Sequence, residues 1–265
     1  MANPFFDQGV QDLLELVRPG MLCAFDFDGT LAPIVADPSD ARIPAPILRR
    51  LAALTEFTPV AVITGRSVED VSLRLDFFPE YVIGNHGIEG MPGQETQEEL
   101  YRLTCQDWLK RLQAALQAQD LASAAWIEDK TFSLSIHYRM AQDLSRTEAR
   151  LRRLIRQQLP DAEIVDGKCV FNVLPGGAPC KGDALEMLRH TISAPSVIYV
   201  GDDVTDESVF RLPREDLLTI RIEDAPDTAA QYYLQRQEQV IDLLDMLLHR
   251  LSEILLDKAG SHPAP

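Results

Sequence analysis

Four short apolar runs in this chain each end in a polar stretch that contains glycine, and this repeated pattern constrains the fold more than any other feature. The runs are LCAFDFDGT, VAVITGRS, YVIGNHG and VIYVGDD, which begin at residues 22, 60, 81 and 197, and a fifth apolar run, LLTIRI, begins at residue 217. Strands that alternate with helical stretches predict an α/β fold with a parallel sheet and helices on both faces. Because ligands bind at the carboxyl ends of parallel strands, the polar stretches predict a functional site at one edge of the sheet.

Composition and charge exclude several classes of partner. The 265 residues are 46% hydrophobic, and their formal net charge of −16 argues against nucleic acid or an anionic membrane surface as the main partner. The amino-terminal stretch lacks a basic start followed by an apolar core, and no run has the length of a membrane span. The four cysteines are scattered without a Cys-x-x-Cys pair, so we predict reduced thiols in a cytoplasmic protein.

A different pattern interrupts the strands and helices of the predicted sheet. A helical pattern at about 105–119 is followed by the alternating strand AWIEDKTFSLSIHYR, a polar helix at about 143–158 and a strand pair. We interpret residues 106–178 as a small α+β domain inserted into a larger one formed by residues 1–105 and 179–265. An amphipathic helix at 235–257 is expected to pack on the larger domain.

Two aspartates, Asp26 and Asp28, stand one residue apart at the end of the first apolar run. A carboxylate is a competent nucleophile toward a phosphoryl group, and passage through an aspartyl phosphate divides the transfer into two steps. A second carboxyl two residues along can protonate the leaving oxygen and later deprotonate the attacking water. We therefore predict that Asp26 is the nucleophile and Asp28 the acid and base.

An anionic nucleophile that approaches an anionic ester needs a cation, and Mg²⁺ prefers a few carboxylate or carbonyl oxygens together with water and phosphate. The stretch GDDVTDE supplies three acids at another predicted strand end. We predict that Asp26, the backbone carbonyl of Asp28 and Asp202 bind Mg²⁺. Asp203 and Asp206 are expected to orient metal-bound waters.

Two further positions supply donors for a phosphate group. Thr64 and Gly65 follow a predicted strand, so the hydroxyl and the amide are expected to donate to phosphate oxygens. Lys181 opens the helical stretch KGDALEML, and its charge can neutralise the group being transferred.

The stretches DFDGTLAPI, VITGRS, PCKGDAL and VGDDVTDE resemble, in order, the four signature motifs of the haloacid dehalogenase superfamily of phosphatases. The resemblance implies a Rossmann-like core that carries an inserted cap. It also implies the same roles for the core residues: Asp26 as nucleophile, Asp28 as acid and base, Thr64 and Lys181 as phosphate ligands, and Asp26, Asp28 and Asp202 as Mg²⁺ ligands.

More narrowly, DGTLAPI, TGRS, GNHG, EDKTFSLSIHYR and GDDVTDE are similar to trehalose-6-phosphate phosphatases, from about residue 20 to 245. This resemblance implies a mobile α+β cap of the C2B type that binds the sugar, with Glu128, Lys130 and Arg139 as ligands of its hydroxyls. His137 is a further candidate on the same stretch. Three residues of the core loops are expected to line the rest of the sugar pocket: Arg66, Asn85 and His86.

The chain departs from the family pattern at one place. The family usually has Gly-Lys-x-Val-x-Glu-x-Arg-Pro before the chain leaves the cap, whereas this sequence has GKCVFNVLP. Asn172 stands for the Glu that touches the sugar, and Leu174 stands for the Arg. Asn can donate and accept hydrogen bonds but carries no charge, so sugar recognition is expected to differ here.

The resulting prediction is a monomeric phosphatase that hydrolyses trehalose 6-phosphate to trehalose and phosphate. A phosphatase of another glycosyl phosphate, such as glucosylglycerol phosphate or a trehalose-like pseudodisaccharide phosphate, is the alternative that Asn172 and Leu174 suggest. A sugar-phosphate mutase is disfavoured, because it would have to keep water away from the aspartyl phosphate although the acid Asp28 stands beside it. A non-catalytic sugar-phosphate sensor would not need both Asp26 and Asp28.

Overall fold

The structure is a computed structural model that describes residues 2–167 and 169–260, with side chains as far as Leu256. In chain order its strands are β1 Asn3–Pro4, β2 Leu22–Phe25, β3 Val60–Ile63, β4 Tyr81–Ile83, β5 Trp126–Asp129, β6 Leu134–His137, β7 Ala162–Gly167, β8 Val170–Pro175, β9 Val197–Gly201, β10 Leu217–Ile222 and β11 Tyr232–Leu234. Its α-helices are α1 Val10–Leu16, α2 Ala45–Leu54, α3 Val68–Leu75, α4 Glu95–Ala118, α5 Leu144–Gln158, α6 Lys181–Ile192, α7 Glu207–Phe210 and α8 Val240–Gly260.

These elements form two compact units. One combines the residues up to Pro92 with those from Pro179 onward, and the other is Gly93–Ala178. We call them the core unit and the inserted unit.

The core unit is built on a parallel sheet with the strand order β1-β11-β10-β9-β2-β3-β4. Side chains alternate between its faces, so Cys23 and Phe25 of β2 lie in one apolar cluster and Leu22 and Ala24 in another. Helices α1, α2, α3 and α8 contribute to the first cluster, and α6 and α7 contribute to the second. The predicted Rossmann-like core with helices on both faces is confirmed.

The inserted unit is a four-stranded antiparallel sheet with the strand order β5-β6-β8-β7. One face is covered by α4 and α5, whose apolar stripes meet inward-facing residues of β6 and β8. The buried cluster includes Cys105, Trp108, Leu112, Leu154, Ile136 and Phe171. A small α+β unit of this kind agrees with the predicted cap fold.

The inserted unit begins earlier than the sequence pattern indicates. We predicted its start at residue 106, whereas the division falls at Gly93, ahead of α4. The first buried residue of α4 is Cys105, and both Leu100 and Leu103 are exposed. The first turns of α4 therefore contribute no buried residue to the apolar cluster of the inserted unit, and burial of the helix begins only at Cys105.

Two short strands at the edge of the core sheet also lie outside the predicted set. β1 and β11 pair in parallel through Asn3 with Tyr232 and Pro4 with Tyr233. Pairings this short leave no alternation that a sequence pattern can reveal. Among residues 2–167 and 169–260, none of the helices combines the length and apolar character that a membrane span requires.

Candidate active site

Asp26 lies directly after β2 at the carboxyl edge of the core sheet and is 4% exposed. Its backbone N–H donates to the Val200 carbonyl at 2.9 Å, which extends the pairing of β2 with β9. Its Oδ1 accepts a hydrogen bond of 2.6 Å from Lys181 Nζ. Burial raises the pKa of Asp26, the Lys181 charge opposes this, and nearby carboxylates add to the rise, so the pKa lies above its usual range in the metal-free protein.

Lys181 is the first residue of α6 and is 2% exposed. Besides Asp26, its Nζ donates to Asp206 Oδ1 at 2.8 Å. Burial lowers the pKa of Lys181, but the charges of Asp26 and Asp206 outweigh that effect and hold the pKa above its ordinary value. The ammonium group is therefore a fixed positive charge directly beside the predicted nucleophile.

Asp206 is fully buried, and donors occupy both of its carboxylate oxygens. Oδ1 accepts from Lys181 Nζ and, at 2.6 Å, from the Tyr199 hydroxyl. Oδ2 accepts the backbone N–H groups of Asp202 at 3.0 Å and Asp203 at 2.9 Å. Asp206 thus fixes both the lysine and the loop that follows β9, and it has little capacity left for a metal or its waters.

Asp202 follows β9 and faces the loop after β2. Its Oδ1 is buried and has no hydrogen-bond partner among the described residues. Gly29, at φ +80°, allows this arrangement because a Cβ there would overlap the Asp202 carboxylate. Burial and the charges of Asp206 and Asp203 raise the pKa of Asp202 to about 6.

The acidic residues fit a divalent cation. Asp26, Asp202 and Asp206 each offer a carboxylate oxygen within 4.8 Å of the others. Since Asp206 is saturated by donors, Asp26 and the unpartnered oxygen of Asp202 are the groups suited to bind a hard cation such as Mg²⁺. Asp203 is exposed and caps the short turn that contains Asp206, accepting its backbone N–H.

Asp28 is held by Arg66, which approaches from the loop after β3. Arg66 donates from Nε to Asp28 Oδ2 at 2.6 Å and from Nη2 to Oδ1 at 2.7 Å, a bidentate pair. The same guanidinium donates to Asp70 Oδ2 at 2.7 Å and to the Pro38 carbonyl at 2.9 Å. Arg66 was expected to line the sugar pocket, but here its guanidinium is engaged by Asp28 and its neighbours.

Thr64 and Gly65 follow β3, and the loop after β4 packs against them. Thr64 is buried, and its hydroxyl accepts the Arg66 backbone N–H at 3.2 Å. Gly65 leaves room for the His86 imidazole, because a Cβ there would overlap the ring. Asn85 is buried and donates from Nδ2 to Glu89 Oε2 at 2.7 Å, so its side chain ties the loop together and does not stand open as the expected sugar contact.

The predicted sugar-binding residues of the inserted unit fall into two groups. Glu128 Oε2 lies 2.9 Å from His137 Nε2 across β5 and β6. Asn172 on β8 accepts a hydrogen bond of 2.7 Å from the Ser135 hydroxyl through Oδ1. Two exposed basic residues lie just beyond the ends of these strands: Lys130 and Arg139.

Sequence reasoning missed Tyr199 as part of the site. Tyr199 lies in the middle of β9, is fully buried and bonds Asp206 through its hydroxyl. A tyrosine inside an otherwise aliphatic buried strand needs a hydrogen-bond partner for its hydroxyl, and that requirement is the signal that could have revealed it.

Comparison with known proteins identifies the family. The family model described as trehalose-phosphatase matches residues 24–237. The chain is 31% identical over 256 residues to the trehalose-phosphate phosphatase of Mycobacterium tuberculosis, covering 92% of this chain and 65% of that protein. It is 27% identical over 270 residues to the probable trehalose-phosphate phosphatase I of Arabidopsis thaliana, covering 94% of this chain and 73% of that protein.

Among solved structures, the fold is similar to that of trehalose-6-phosphate phosphatase from Aspergillus fumigatus. The TM-score is 0.70 at 23% sequence identity, and the match covers 94% of this chain and 99% of that one. The matched sequence family spans both units of the chain. The chain therefore belongs to the trehalose-phosphatase family of the haloacid dehalogenase superfamily and is a phosphoric monoester hydrolase.

Proposed function

We propose that this protein hydrolyses trehalose 6-phosphate to trehalose and inorganic phosphate, with Mg²⁺ and through an aspartyl phosphate on Asp26. The observation that carries the proposal is the buried pair of Asp26 and Lys181, beside an Asp202 oxygen that has no hydrogen-bond partner among the described residues. A buried carboxylate next to a fixed cation and an unsatisfied acidic ligand suits attack on an anionic ester.

In the first step, an oxygen of the Asp26 carboxylate attacks the phosphorus, and the bond between phosphorus and the sugar oxygen breaks. Asp28 gives its proton to the leaving sugar oxygen, which becomes a hydroxyl group. Lys181 neutralises charge on the phosphoryl group, and the Thr64 hydroxyl and Gly65 amide donate to its oxygens. Lys181 needs no reorganisation for this, because Asp206 already holds its ammonium group at 2.8 Å.

In the second step, water attacks the phosphorus of the aspartyl phosphate, and Asp28 accepts its proton while the Asp26 carboxylate leaves. The bidentate contact with Arg66 orients the side chain of Asp28 toward a defined position, which the proton transfers of both steps need. We therefore assign Arg66 a positioning role on Asp28 rather than a contact with the sugar.

Asp26, Asp202 and the backbone carbonyl of Asp28 would hold the Mg²⁺. When bound, the ion supplies positive charge that offsets the repulsion between the nucleophile and the ester and stabilises the developing phosphoryl charge. Asp203 and Asp206 support the Asp202 loop: the first caps its turn, and the second fixes its backbone amides.

The inserted unit supplies the sugar contacts in this proposal. Glu128, Lys130 and Arg139 bind hydroxyl groups through charge-assisted hydrogen bonds, and His137 holds Glu128 in place at 2.9 Å. Asn172 contributes a neutral amide. His86, whose ring lies over Gly65, is a further candidate contact in the core unit.

The test is release of inorganic phosphate from trehalose 6-phosphate by the full chain, with Mg²⁺ and after treatment with EDTA. We expect turnover that EDTA abolishes and Mg²⁺ restores, and no turnover by Asp26→Asn. The matched control is Asp40→Asn, which removes an exposed acid of the core unit and should leave the rate unchanged. Full activity in metal-free protein, or in Asp26→Asn verified free of deamidation, would contradict the mechanism.

A second candidate substrate is another glycosyl phosphate, such as glucosylglycerol phosphate or a trehalose-like pseudodisaccharide phosphate. The observation that favours it is the neutral Asn172, whose Oδ1 is already taken by Ser135. A phosphate-release screen over phosphorylated monosaccharides, disaccharides and glycosyl polyols separates the two. A higher kcat/KM for a different ester than for trehalose 6-phosphate would select the second substrate.

We also propose a monomeric, cytoplasmic protein. The high net negative charge disfavours self-association and anionic membranes, and Cys23, Cys105, Cys169 and Cys180 are all free thiols. Light scattering at assay concentration tests the oligomeric state, and cell fractionation tests the location.

A further inference from the structure

One face of the sheet in the inserted unit carries an exposed indole ring. The strand register pairs Trp126 with His137 and Glu128 with Ser135, so these side chains share a face. The register of β6 with β8 adds Asn172 to that face, opposite Ser135. The other face is the buried one, with Leu134, Ile136, Phe171 and Val173.

The two tryptophans of the chain lie in contrasting surroundings, and both belong to the inserted unit. Trp108 is buried against the sheet by α4, whereas Trp126 is 55% exposed. An indole left in water forgoes the burial that makes tryptophan stabilising in a core. Trp126 therefore adds little to the core of the inserted unit, and its exposure calls for another explanation.

One side of the Trp126 indole is supported by neighbouring side chains. Its ring stacks on the His137 imidazole with centroids 4.2 Å apart and planes 13° from parallel. His137 is fixed in turn by Glu128 at 2.9 Å. Since β5 is an edge strand, no strand formed by the described residues of the inserted unit lies on the other side of Trp126. The arrangement offers a preorganised aromatic surface, which reduces the entropy lost on binding.

The polar groups around this ring suit a carbohydrate. Sugar rings present apolar C–H faces and polar edges, so they bind where an aromatic plane lies beside hydrogen-bonding groups. Glu128 supplies carboxylate oxygens for hydroxyl donors.

We propose that Trp126 is a sugar-stacking residue: the C–H face of one pyranose ring of the substrate packs on the indole, with Glu128 at the ring's edge. This inference rests on the proposed hydrolysis of a glycosyl phosphate. It adds to that function a determinant that selects sugars by the shape of an apolar ring face and not by charge.

Kinetics of Trp126 variants test the role of the ring. Trp126→Ala should lower kcat/KM for trehalose 6-phosphate about tenfold, mainly through KM, while the rate on p-nitrophenyl phosphate stays within about twofold. Trp126→Phe keeps a ring and should retain most of the activity, and Trp126→Leu, apolar without a ring, should resemble Trp126→Ala. Phe78→Ala removes an exposed aromatic residue of the core unit and serves as the control. It should leave kcat/KM unchanged for both trehalose 6-phosphate and p-nitrophenyl phosphate.

Tryptophan fluorescence provides a readout that does not depend on turnover. Trehalose added to the wild type should shift the emission to shorter wavelength, because the sugar covers the exposed indole. Trp126→Phe retains only Trp108, which is already buried, so its emission should not respond. An unchanged emission in the wild type at trehalose concentrations that inhibit hydrolysis would overturn the proposal.

Failure of the stacking role is distinguishable from failure of the proposed substrate. If the wild type does not hydrolyse trehalose 6-phosphate, that substrate is wrong, and the variants are compared on the glycosyl phosphate that the wild type hydrolyses fastest. Equal kcat/KM values for wild type and Trp126→Ala on that ester overturn the stacking role. Equal losses on the glycosyl phosphate and on p-nitrophenyl phosphate also overturn it, because they indicate a purely structural residue.

Discussion

Asp206→Asn is the substitution that most directly tests how the site is held together. The two carboxylate oxygens accept four donors: Lys181 Nζ and Tyr199 OH on Oδ1, and the backbone amides of Asp202 and Asp203 on Oδ2. An asparagine amide has one oxygen and one NH₂ group. In either orientation the NH₂ group therefore faces two donors that have lost their acceptor.

The expected cost follows from that count. Each buried donor left without a partner costs about 1–3 kcal/mol, and breaking a buried charge pair costs about 3–5 kcal/mol. Removing one negative charge from beside Asp26 and Asp202 offsets part of this cost, since these carboxylates repel each other. We expect the free energy of unfolding of the metal-free protein to fall by about 3 kcal/mol.

Activity should fall as well, because the Asp202 loop and Lys181 lose a shared anchor. A displacement of about 1 Å in a positioned group can cost about a hundredfold in rate, so we expect kcat for trehalose 6-phosphate to fall by about that factor. Urea unfolding at pH 7.5 in EDTA measures the stability, and phosphate release at saturating Mg²⁺ measures kcat.

The matched control is Asp203→Asn, the neighbouring exposed acid, whose side chain caps a turn. Asparagine caps as well as aspartate, so this variant should unfold within about 0.5 kcal/mol of the wild type. Tyr199→Phe removes one of the four donors and should cost about 1 kcal/mol. An Asp206→Asn protein as stable and as active as the Asp203→Asn control would refute the idea that a buried carboxylate organises the site.

Three further outcomes are expected. The pKa of Asp202 is raised to about 6 from an unfolded value of about 4, so the metal-free protein loses stability as pH rises from about 4 to 6, and the loss is complete above that range. Asp202→Asn should therefore stabilise the metal-free protein increasingly from pH 4.5 to about 6 and by a constant amount from there to pH 7.5, and a gain that does not depend on pH in urea unfolding would contradict this. Arg66→Lys cannot form the bidentate contact with Asp28 and should lower kcat for trehalose 6-phosphate about tenfold or more, and an unchanged kcat would remove Arg66 from the mechanism. Asn172→Glu should raise kcat/KM for trehalose 6-phosphate if that ester is the substrate, and a lower value would favour another glycosyl phosphate.

The carboxyl edge of the core sheet was predictable because a polar stretch follows each apolar run and marks where the strand ends. Parallel pairing of β2 with β9 and with β3 brings together the ends that carry Asp26, Thr64 and Asp202, although the first and last lie far apart along the chain. The apolar runs fix where each strand stops, and parallel pairing places these strand ends at the same edge of the sheet.

The partners of long charged side chains were not predictable in the same way. Arg66 can reach several acids from its loop, and only the packed structure selects Asp28 and Asp70. Asp206 was expected to orient metal-bound waters, but its oxygens are filled by Lys181, Tyr199 and two amides. Periodicity specifies which face a residue occupies, whereas the choice among competing hydrogen-bond partners depends on distances of a few tenths of an ångström.

The burial of Lys181 has a consequence for its own reactivity. Acylating reagents and acetyl donors react with an accessible, unprotonated amine, and the Lys181 amine is neither, because it is 2% exposed and its pKa is raised by Asp26 and Asp206. Lys110 and Lys130 are exposed and open to such reagents. Acetylation or amine labelling found at Lys181 in this protein would therefore mark molecules whose site had opened, and labelling at that position can serve as a probe of local unfolding.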